Sequence, residues 1–214
     1  MTDYKGFEKV LPNEIEKRSF EIITEELKGR ELPPENEQVI KRVIHTTADF
    51  DYADSLYFSP GAVESAIEAV RRGTRIITDT NMGRSGINQT ALKKLGCRAD
   101  CFMADEDVAK AAMEQERTRA WVSMDKAADL KEDCIFAVGN APTALVRLYQ
   151  LVKEEKIRPK LIIAVPVGFV NVIPAKELIL ELAEVPTIVA RGRKGGSNVA
   201  AAIVNAILYQ AGGR

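Results

Sequence analysis

Leu161-Ile-Ile-Ala-Val165 is an unbroken apolar run closed by Pro166 and Gly168. Three more runs of this kind occur: Arg75-Ile-Ile-Thr78, Ile135-Phe-Ala-Val138 and Thr187-Ile-Val-Ala190. Runs this short and apolar suit strands covered on both faces, as in a parallel sheet. Helical stretches separate them, at 105–131 with an interruption, 143–155, 175–184 and 197–210. The alternation predicts an α/β fold of three layers, a mainly parallel sheet with helices on both faces.

Upstream of the first run the pattern is helical. Asn13 is placed to cap a helix carrying Ile15, Phe20, Ile22, Ile23 and Leu27, which stops at Gly29. Pro33-Pro34 opens a second helix whose apolar stripe is Val39, Ile40, Val43 and Ile44. That helix delivers His45 at or near its end. Arg42 and His45 are three residues apart, so they project from one side while the helix lasts. Ser59-Pro60 reads as a cap followed by proline at the first helical position, for a helix through Val63, Ile67 and Val70 that stops at Gly73.

The chain has 214 residues, 46% of them hydrophobic, which suits one domain over 1–214. A formal net charge of -1 gives no general attraction to nucleic acid or to an anionic membrane. The start of the chain has no apolar stretch of the signal-peptide kind. The longest apolar run, 161–170, falls far short of the roughly 20 residues that cross a bilayer. The expected location is the cytoplasm. Cys97, Cys101 and Cys134 are too few and too odd in number for a disulfide framework. Cys97 and Cys101 lack the clustered further donors of a tetrahedral zinc site. The three thiols read as small buried hydrophobes.

In open α/β sheets ligands sit beyond the carboxyl ends of the strands, which selects 79–86, 139–143, 166–171 and 191–198. Asn140-Ala-Pro-Thr143 follows a strand and opens a helix, as does Gly195-Gly196-Ser197. Helix starts of this kind present N–H groups to carboxylate or phosphate. Arg191, Arg193 and Lys194 add cationic donors. The alternative is that the glycines serve tight turns and the cations face water. Neither G-x-G-x-x-G nor G-x-x-x-x-G-K-[ST] occurs, so nucleotide fingerprints are missing. Thr78-Asp79-Thr80-Asn81-Met82 offers polar groups at a strand end, or an ordinary capped turn. Arg117 and Arg119 diverge on a helix, so at most one faces a given ligand, and both also suit a solvated face. His45 is the only histidine. Imidazole, with an unperturbed pKa of about 6.5, is the side chain that exchanges protons near neutrality. Any histidine acid–base chemistry must run through it.

Several stretches match a known family in order. They are Lys17-Arg-Ser-Phe-Glu-Ile-Ile23, Arg42-Val-Ile-His45, Phe58-Ser-Pro-Gly-Ala62, Ile77-Thr-Asp79 with Asn81-Met82 and Gly86-Ile87, and Thr118-Arg119. The most specific are Gly139-Asn-Ala-Pro-Thr-Ala144, Pro166-Val-Gly-Phe-Val170 and Gly192-Arg-Lys-Gly-Gly-Ser197. On these residues the chain, from about Glu16 to Leu208, resembles the precorrin-8X methylmutase and cobalt-precorrin-8 methylmutase family of corrin biosynthesis. It departs from the family at Ala120, where serine is common, and at Asn171-Val-Ile-Pro-Ala-Lys176, where the family often reads glycine-alanine and then glutamate-serine-lysine.

The resemblance implies an isomerase that moves a methyl group from C-11 to C-12 of a corrinoid macrocycle, giving hydrogenobyrinate or cobyrinate. It places His45 on the catalytic histidine, and Ser19 and Arg42 on substrate contacts. With the strand-end loops, the expected substrate-binding set adds Thr78, Asp79, Arg117, Arg119, Asn140, Thr143, Gly168, Phe169, Arg191, Gly195, Gly196 and Ser197. A 1,5-shift of methyl around a conjugated ring needs no redox cofactor, nucleophile or catalytic metal. Cobalt would enter only as part of the substrate, and the motifs fit the metal-free and cobalt-bearing forms alike. The resemblance also implies a homodimer with the ligand near the subunit interface. Neighbouring enzymes of the corrin pathway are further candidate partners. Two other readings stay open: a corrinoid carrier without turnover, against which intact His45 argues, and a phosphate- or nucleotide-binding α/β enzyme, against which the missing fingerprints argue.

Overall fold

A computed structural model describes Gly6 and residues 8–213. The first half of the chain runs α1 (Ile15–Glu26), α2 (Glu37–Thr47), α3 (Tyr52–Ser55), β1 (Leu56–Phe58), α4 (Ala62–Arg71), β2 (Arg75–Thr78), α5 (Asn81–Gly86), α6 (Gln89–Lys94) and β3 (Ala99–Asp100). The second half runs α7 (Glu106–Glu114), α8 (Arg119–Asp129), β4 (Cys134–Val138), α9 (Pro142–Lys153), β5 (Leu161–Ala164), α10 (Val172–Leu180), β6 (Thr187–Ala190) and α11 (Ser197–Ala211).

The strands form one sheet in the order β1-β6-β5-β4-β2-β3. Every pairing is parallel except β1 with β6 at one edge. Side chains alternate across the sheet, as the pleat demands. Ile76, Ile135, Ala137, Leu161, Ile163, Ile188 and Ala190 enter one core with α1, α2, α4 and α11. Ile77, Phe136, Val138, Ile162, Ala164 and Val189 enter the other with α8, α9 and α10. This is the three-layer α/β arrangement expected from the apolar runs. Helix α11 is buried almost throughout from Val199 to Leu208, as a helix apolar on nearly all sides must be.

The helix starts differ from expectation. Asn13 does not cap α1; Glu14 stands there, without a side-chain hydrogen bond. The prolines make a turn in which the Pro33 carbonyl accepts from Asn36 and Glu37, and α2 begins only after it. Ser59 caps nothing. Its hydroxyl accepts the Thr187 N–H at 2.9 Å, while its own N–H donates to the Thr187 carbonyl at 2.9 Å. It thereby prolongs the β1–β6 edge, and α4 starts at Gly61-Ala62 instead. Strands β1 and β3 and helices α5 and α6 lie in stretches where no periodic pattern is long enough to read. All three cysteines are free and buried, and burial pushes the Cys134 thiol up to about 12.

The sheet reverses direction between β2 and β4: from β2 the chain moves outward to β3, then returns to β2's other side. That is the switch point at which a crevice opens in folds of this kind. Loops from β4, β5 and β6 close over it. Gly195 has φ +155, and a Cβ there would lie 2.1 Å from the Val165 carbonyl oxygen. Gly196 donates its N–H to that same oxygen at 2.9 Å. The Gly195-Gly196 pair thus lets one loop lie on another, which corrects the reading of these glycines as room for a ligand. Gly195→Ala should lower stability by about 2–6 kcal/mol, combining backbone strain and overpacking of about 1–3 kcal/mol each. Urea unfolding of the variant against the parent checks this.

Candidate active site

Helix α2 is amphipathic. Val39, Ile40, Val43 and Ile44 are fully buried, and this leaves Arg42, His45 and Thr46 on its other flank. His45 sits in the last turn and its side chain is exposed. Ala48 then ends the helix in the left-handed region, its N–H donating to the Ile44 carbonyl at 2.7 Å. The chain thus turns away immediately beyond the imidazole.

Phe20 of α1 lies between the two functional candidates of α2. The His45 ring centroid is 5.5 Å from that of Phe20, with the planes tilted by 31°. The Arg42 guanidinium lies 4.7 Å above Phe20 and 5.1 Å from the ring of Tyr209. It also pairs with Glu16 at 2.5 Å. An arginine stacked on two rings and held by a carboxylate is well fixed in orientation. Asn205 and Asn88 brace this corner: Asn205 accepts the Asn88 N–H and donates to the Gly86 carbonyl, and the Asn88 amide reaches the Tyr209 hydroxyl.

Three grooves meet around α2. One of about 290 Å³ holds His45 and Ser19 with Ile22, Glu26 and Phe50. A second of about 440 Å³ runs past Arg42, Phe20, Glu16 and Tyr209. A third of about 270 Å³ joins Arg42 and Thr46 to Gly86, Asn198 and Asn205. Ser19, Arg42 and His45 therefore converge on one surface. Ser19 donates its hydroxyl to the Ile15 carbonyl at 2.9 Å, which leaves the oxygen's lone pairs for another donor.

The strand-end loops form a second group. Lys194 ties it to the end of α2 by ion pairs of 2.6 Å to Asp49 and Asp51. These bonds hold the Asp49 carboxylate below its usual range and raise the lysine. Lys194 is thus neutralised within the chain. Arg191 is exposed, lies 5.2 Å from the Tyr57 ring, and donates its N–H to the Ser55 carbonyl. Arg193 lies 5.6 Å from the ring of Phe169, which is 84% exposed. Ser197 shares a 2.7 Å hydroxyl–hydroxyl bond with Thr80. Thr143 shares one of 2.7 Å with Thr118, which brings Arg117 and Arg119 towards the same end of the sheet. Both arginines are exposed, and Arg117 stacks on Trp121 at 4.7 Å.

Two expected contacts are corrected. Asp79 and Thr78 are buried at 1% and 0% exposure. The Asp79 carboxylate accepts the N–H groups of Gly139, Asn140 and Ala141 at 2.9, 2.8 and 2.7 Å. The Thr78 hydroxyl is directed at the carbonyls of Thr80 and Asp100. The anion at the start of α9 is therefore the protein's own. Asp79 occupies the switch-point crevice and Thr78 braces it, so both build the site instead of lining it. Burial pushes the Asp79 carboxyl up, while the three N–H donors pull it down.

Phe20, Tyr209 and Lys176 went unread as site residues. The first two belong to apolar helical faces and carry no local signal of a role. Lys176 sits on α10 with its ammonium buried, donating to the carbonyls of Gly192 and Lys194 at 2.9 Å each. Burial pulls it down to about 8. Among the described residues no group of histidine, cysteine and carboxylate side chains could hold a metal ion, and no helix is long and apolar enough to cross a membrane.

The family model for precorrin-8X methylmutase matches residues 14–210. The chain belongs to the precorrin-8X methylmutase family. The cobalt-precorrin-8 methylmutase of Leptospira interrogans is 43% identical over 205 residues, covering 92% of this chain and 93% of that protein. Its counterpart in Salmonella typhimurium is 44% identical over 204 residues, 92% and 95% of the two chains. The solved precorrin-8X methylmutase of Thermus thermophilus superposes with a TM-score of 0.85 at 38% identity, covering 92% of this chain and 97% of that one. As a methylmutase of this family the chain is an isomerase of cobalamin biosynthesis.

Asp79→Asn tests the internal anion of this methylmutase. Asparagine keeps one acceptor oxygen but turns an NH₂ towards N–H donors. The variant should lose about 1–3 kcal/mol, the cost of leaving a buried group unsatisfied. Chemical denaturation followed by circular dichroism measures it.

Proposed function

We propose that this methylmutase moves a methyl group from C-11 to C-12 of a corrinoid polycarboxylate, with His45 as the acid. The observation that carries the reading is the exposed imidazole at the end of α2, in one groove with Ser19 and around one phenylalanine with Arg42. A sigmatropic 1,5-shift requires the π-system of the ring to be biased. Protonation of a ring nitrogen by imidazole does this, and return of the proton restores the enzyme. Phe20 offers an apolar face beside the proton donor. Arg42, whose charge already meets Glu16, holds the wall of the groove and offers remaining N–H donors to a peripheral carboxylate. Arg191, Arg117, Arg119, Asn140 and Thr143 are the further donors for carboxylates around the rim. The reaction calls for no cofactor. The relatives from Leptospira and Salmonella carry the name of the cobalt-bearing substrate, which favours cobalt-precorrin-8 over the metal-free form for this chain.

His45→Ala should reduce turnover by about 10²–10⁴-fold, the usual worth of a general acid–base group. Its affinity for hydrogenobyrinic acid should stay within a few fold. His45→Asn, which keeps a hydrogen-bond donor but passes on no proton, should be equally slow. The assay follows the absorption change of precorrin-8X or cobalt-precorrin-8 on conversion. Near-normal turnover in either variant would remove His45 as the acid, and a parent enzyme that converts neither substrate would remove the reaction.

The same reading includes a symmetric homodimer that closes the site. One protomer leaves His45 exposed, whereas ligand sites of this size bury most of their ligand. Val167 and Val170, at 48% and 79% exposure, form an apolar edge beside the strand-end loops. An edge of this kind suits a subunit contact. Light scattering at micromolar concentration should give twice the chain mass; a monomer would leave the groove without its second wall.

A further inference from the structure

We infer that Lys176 is a positioning residue for Arg193: it grips the backbone on either side of that arginine and thereby aims its guanidinium at a peripheral carboxylate of the substrate. The inference rests on the corrinoid reading of the site.

Three consecutive carbonyls of the loop after β6 are each held from within. Lys176 donates to those of Gly192 and Lys194 at 2.9 Å. The Arg193 carbonyl between them accepts the Gly168 N–H at 3.2 Å. The side chain of Lys194 is drawn away to Asp49 and Asp51. What remains is the side chain of Arg193, exposed and lying 5.6 Å from the Phe169 ring. Among the described residues no carboxylate is within ion-pair distance of it. The loop thus presents the Arg193 cation on a stretch of backbone whose three carbonyls are held, beside an exposed aromatic face. That pairing fits a flat ring bearing carboxylates at its edge.

The choice of lysine at 176 supports this. Its ammonium is completely buried and meets carbonyls, and among the described residues no carboxylate pairs with it. Burying a charge in this way is costly, and methionine would fill the same space without that cost. Two charge-assisted bonds are what methionine could not provide. They hold the backbone on both sides of Arg193, where the other backbone anchor is the single Gly168 N–H contact to the Arg193 carbonyl. The helix that carries Lys176, α10, packs directly on β6 and on the β5 side of the sheet, so the grip is referred to the rigid core.

The test is a double-mutant cycle of Lys176→Met and Arg193→Ala, using hydrogenobyrinic acid titrations followed by absorbance, together with steady-state kinetics. Each single variant should raise Kd for hydrogenobyrinic acid and KM by about tenfold or more, the scale of one charged hydrogen bond, with kcat within about twofold. Lys176→Met should add little in the Arg193→Ala background, because the arm it aims is already gone. Lys176→Arg, which restores charge and donors, should recover part of the affinity. Full additivity of the two substitutions, or a Lys176→Met enzyme with unchanged Kd and KM, would overturn the inference. If Lys176→Met does not fold by circular dichroism, the cycle is repeated with Lys176→Gln. Failure of both to fold would show the lysine holding the fold instead of the arm, and would equally overturn it. A parent protein that binds neither hydrogenobyrinic acid nor its cobalt counterpart, cobyrinic acid, would instead strike at the functional reading on which the inference rests.

Discussion

The carboxylate of Asp79 is the tie on which the upper face of this molecule depends. It leaves the end of β2, crosses the point where the sheet reverses direction, and takes three successive N–H groups at the start of α9. Those groups precede Pro142, the first residue of α9, so the helix ladder offers them no partner. A buried carboxylate is costly alone, and helix-start donors are costly unmet, so each answers the other. Once β2 and the β4–α9 loop are joined, the remaining loops have a surface to lie on. The glycines at 195 and 196 then allow the β6–α11 loop to rest directly on the backbone at Val165. A crevice that binds ligands in many α/β proteins is here filled by the chain itself, and the ligand-facing chemistry is displaced to the rim and to the flank of α2.

That flank has its own logic. Helix α11 is buried on nearly all sides and gives α2 a rigid bed, so the exposed side of α2 is defined with little freedom. Phe20, Arg42, Glu16 and Tyr209 interlock across α1, α2 and α11. The imidazole of His45 stands at the edge of this cluster with one ring face against Phe20 and the other side open. A proton donor in such a place can reach a large flat substrate without being surrounded by it. Lys194 joins the two halves of the candidate site through Asp49 and Asp51, only a few residues past His45.

Much of this was legible in one dimension because it rests on local pattern. The four apolar runs became β2, β4, β5 and β6, since a strand covered on both faces admits nothing else. The stripe of Val39, Ile40, Val43 and Ile44 set which way α2 faces, and with it the exposure of His45. Other features were not legible. Ser59-Pro60 satisfies the local rules for a helix cap, yet the serine is used by Thr187, a residue far along the chain. Strands β1 and β3 are too short to carry a period and exist because a neighbouring edge offers hydrogen bonds. Glycine and polar residues at strand ends look alike whether they meet a ligand or another loop.

The sequence by itself determined the layer architecture, the face of each long helix, the solitary histidine and the family resemblance. All of these depend on residue type and on spacings of two to four positions. Only the tertiary structure decided which polar groups are spent inside the protein and which remain for a ligand. Asp79 and Thr78 were read as substrate contacts alongside Arg191, and Lys194 as a cationic donor of the same loop, yet the first two are consumed by backbone groups and the third by Asp49 and Asp51. The physical reason is that a hydrogen-bonding group is satisfied by whatever lies about 3 Å away. Proximity of that kind, across 60 residues from Asp79 to Gly139 or 145 from Asp49 to Lys194, is created by chain topology and not by neighbours in sequence.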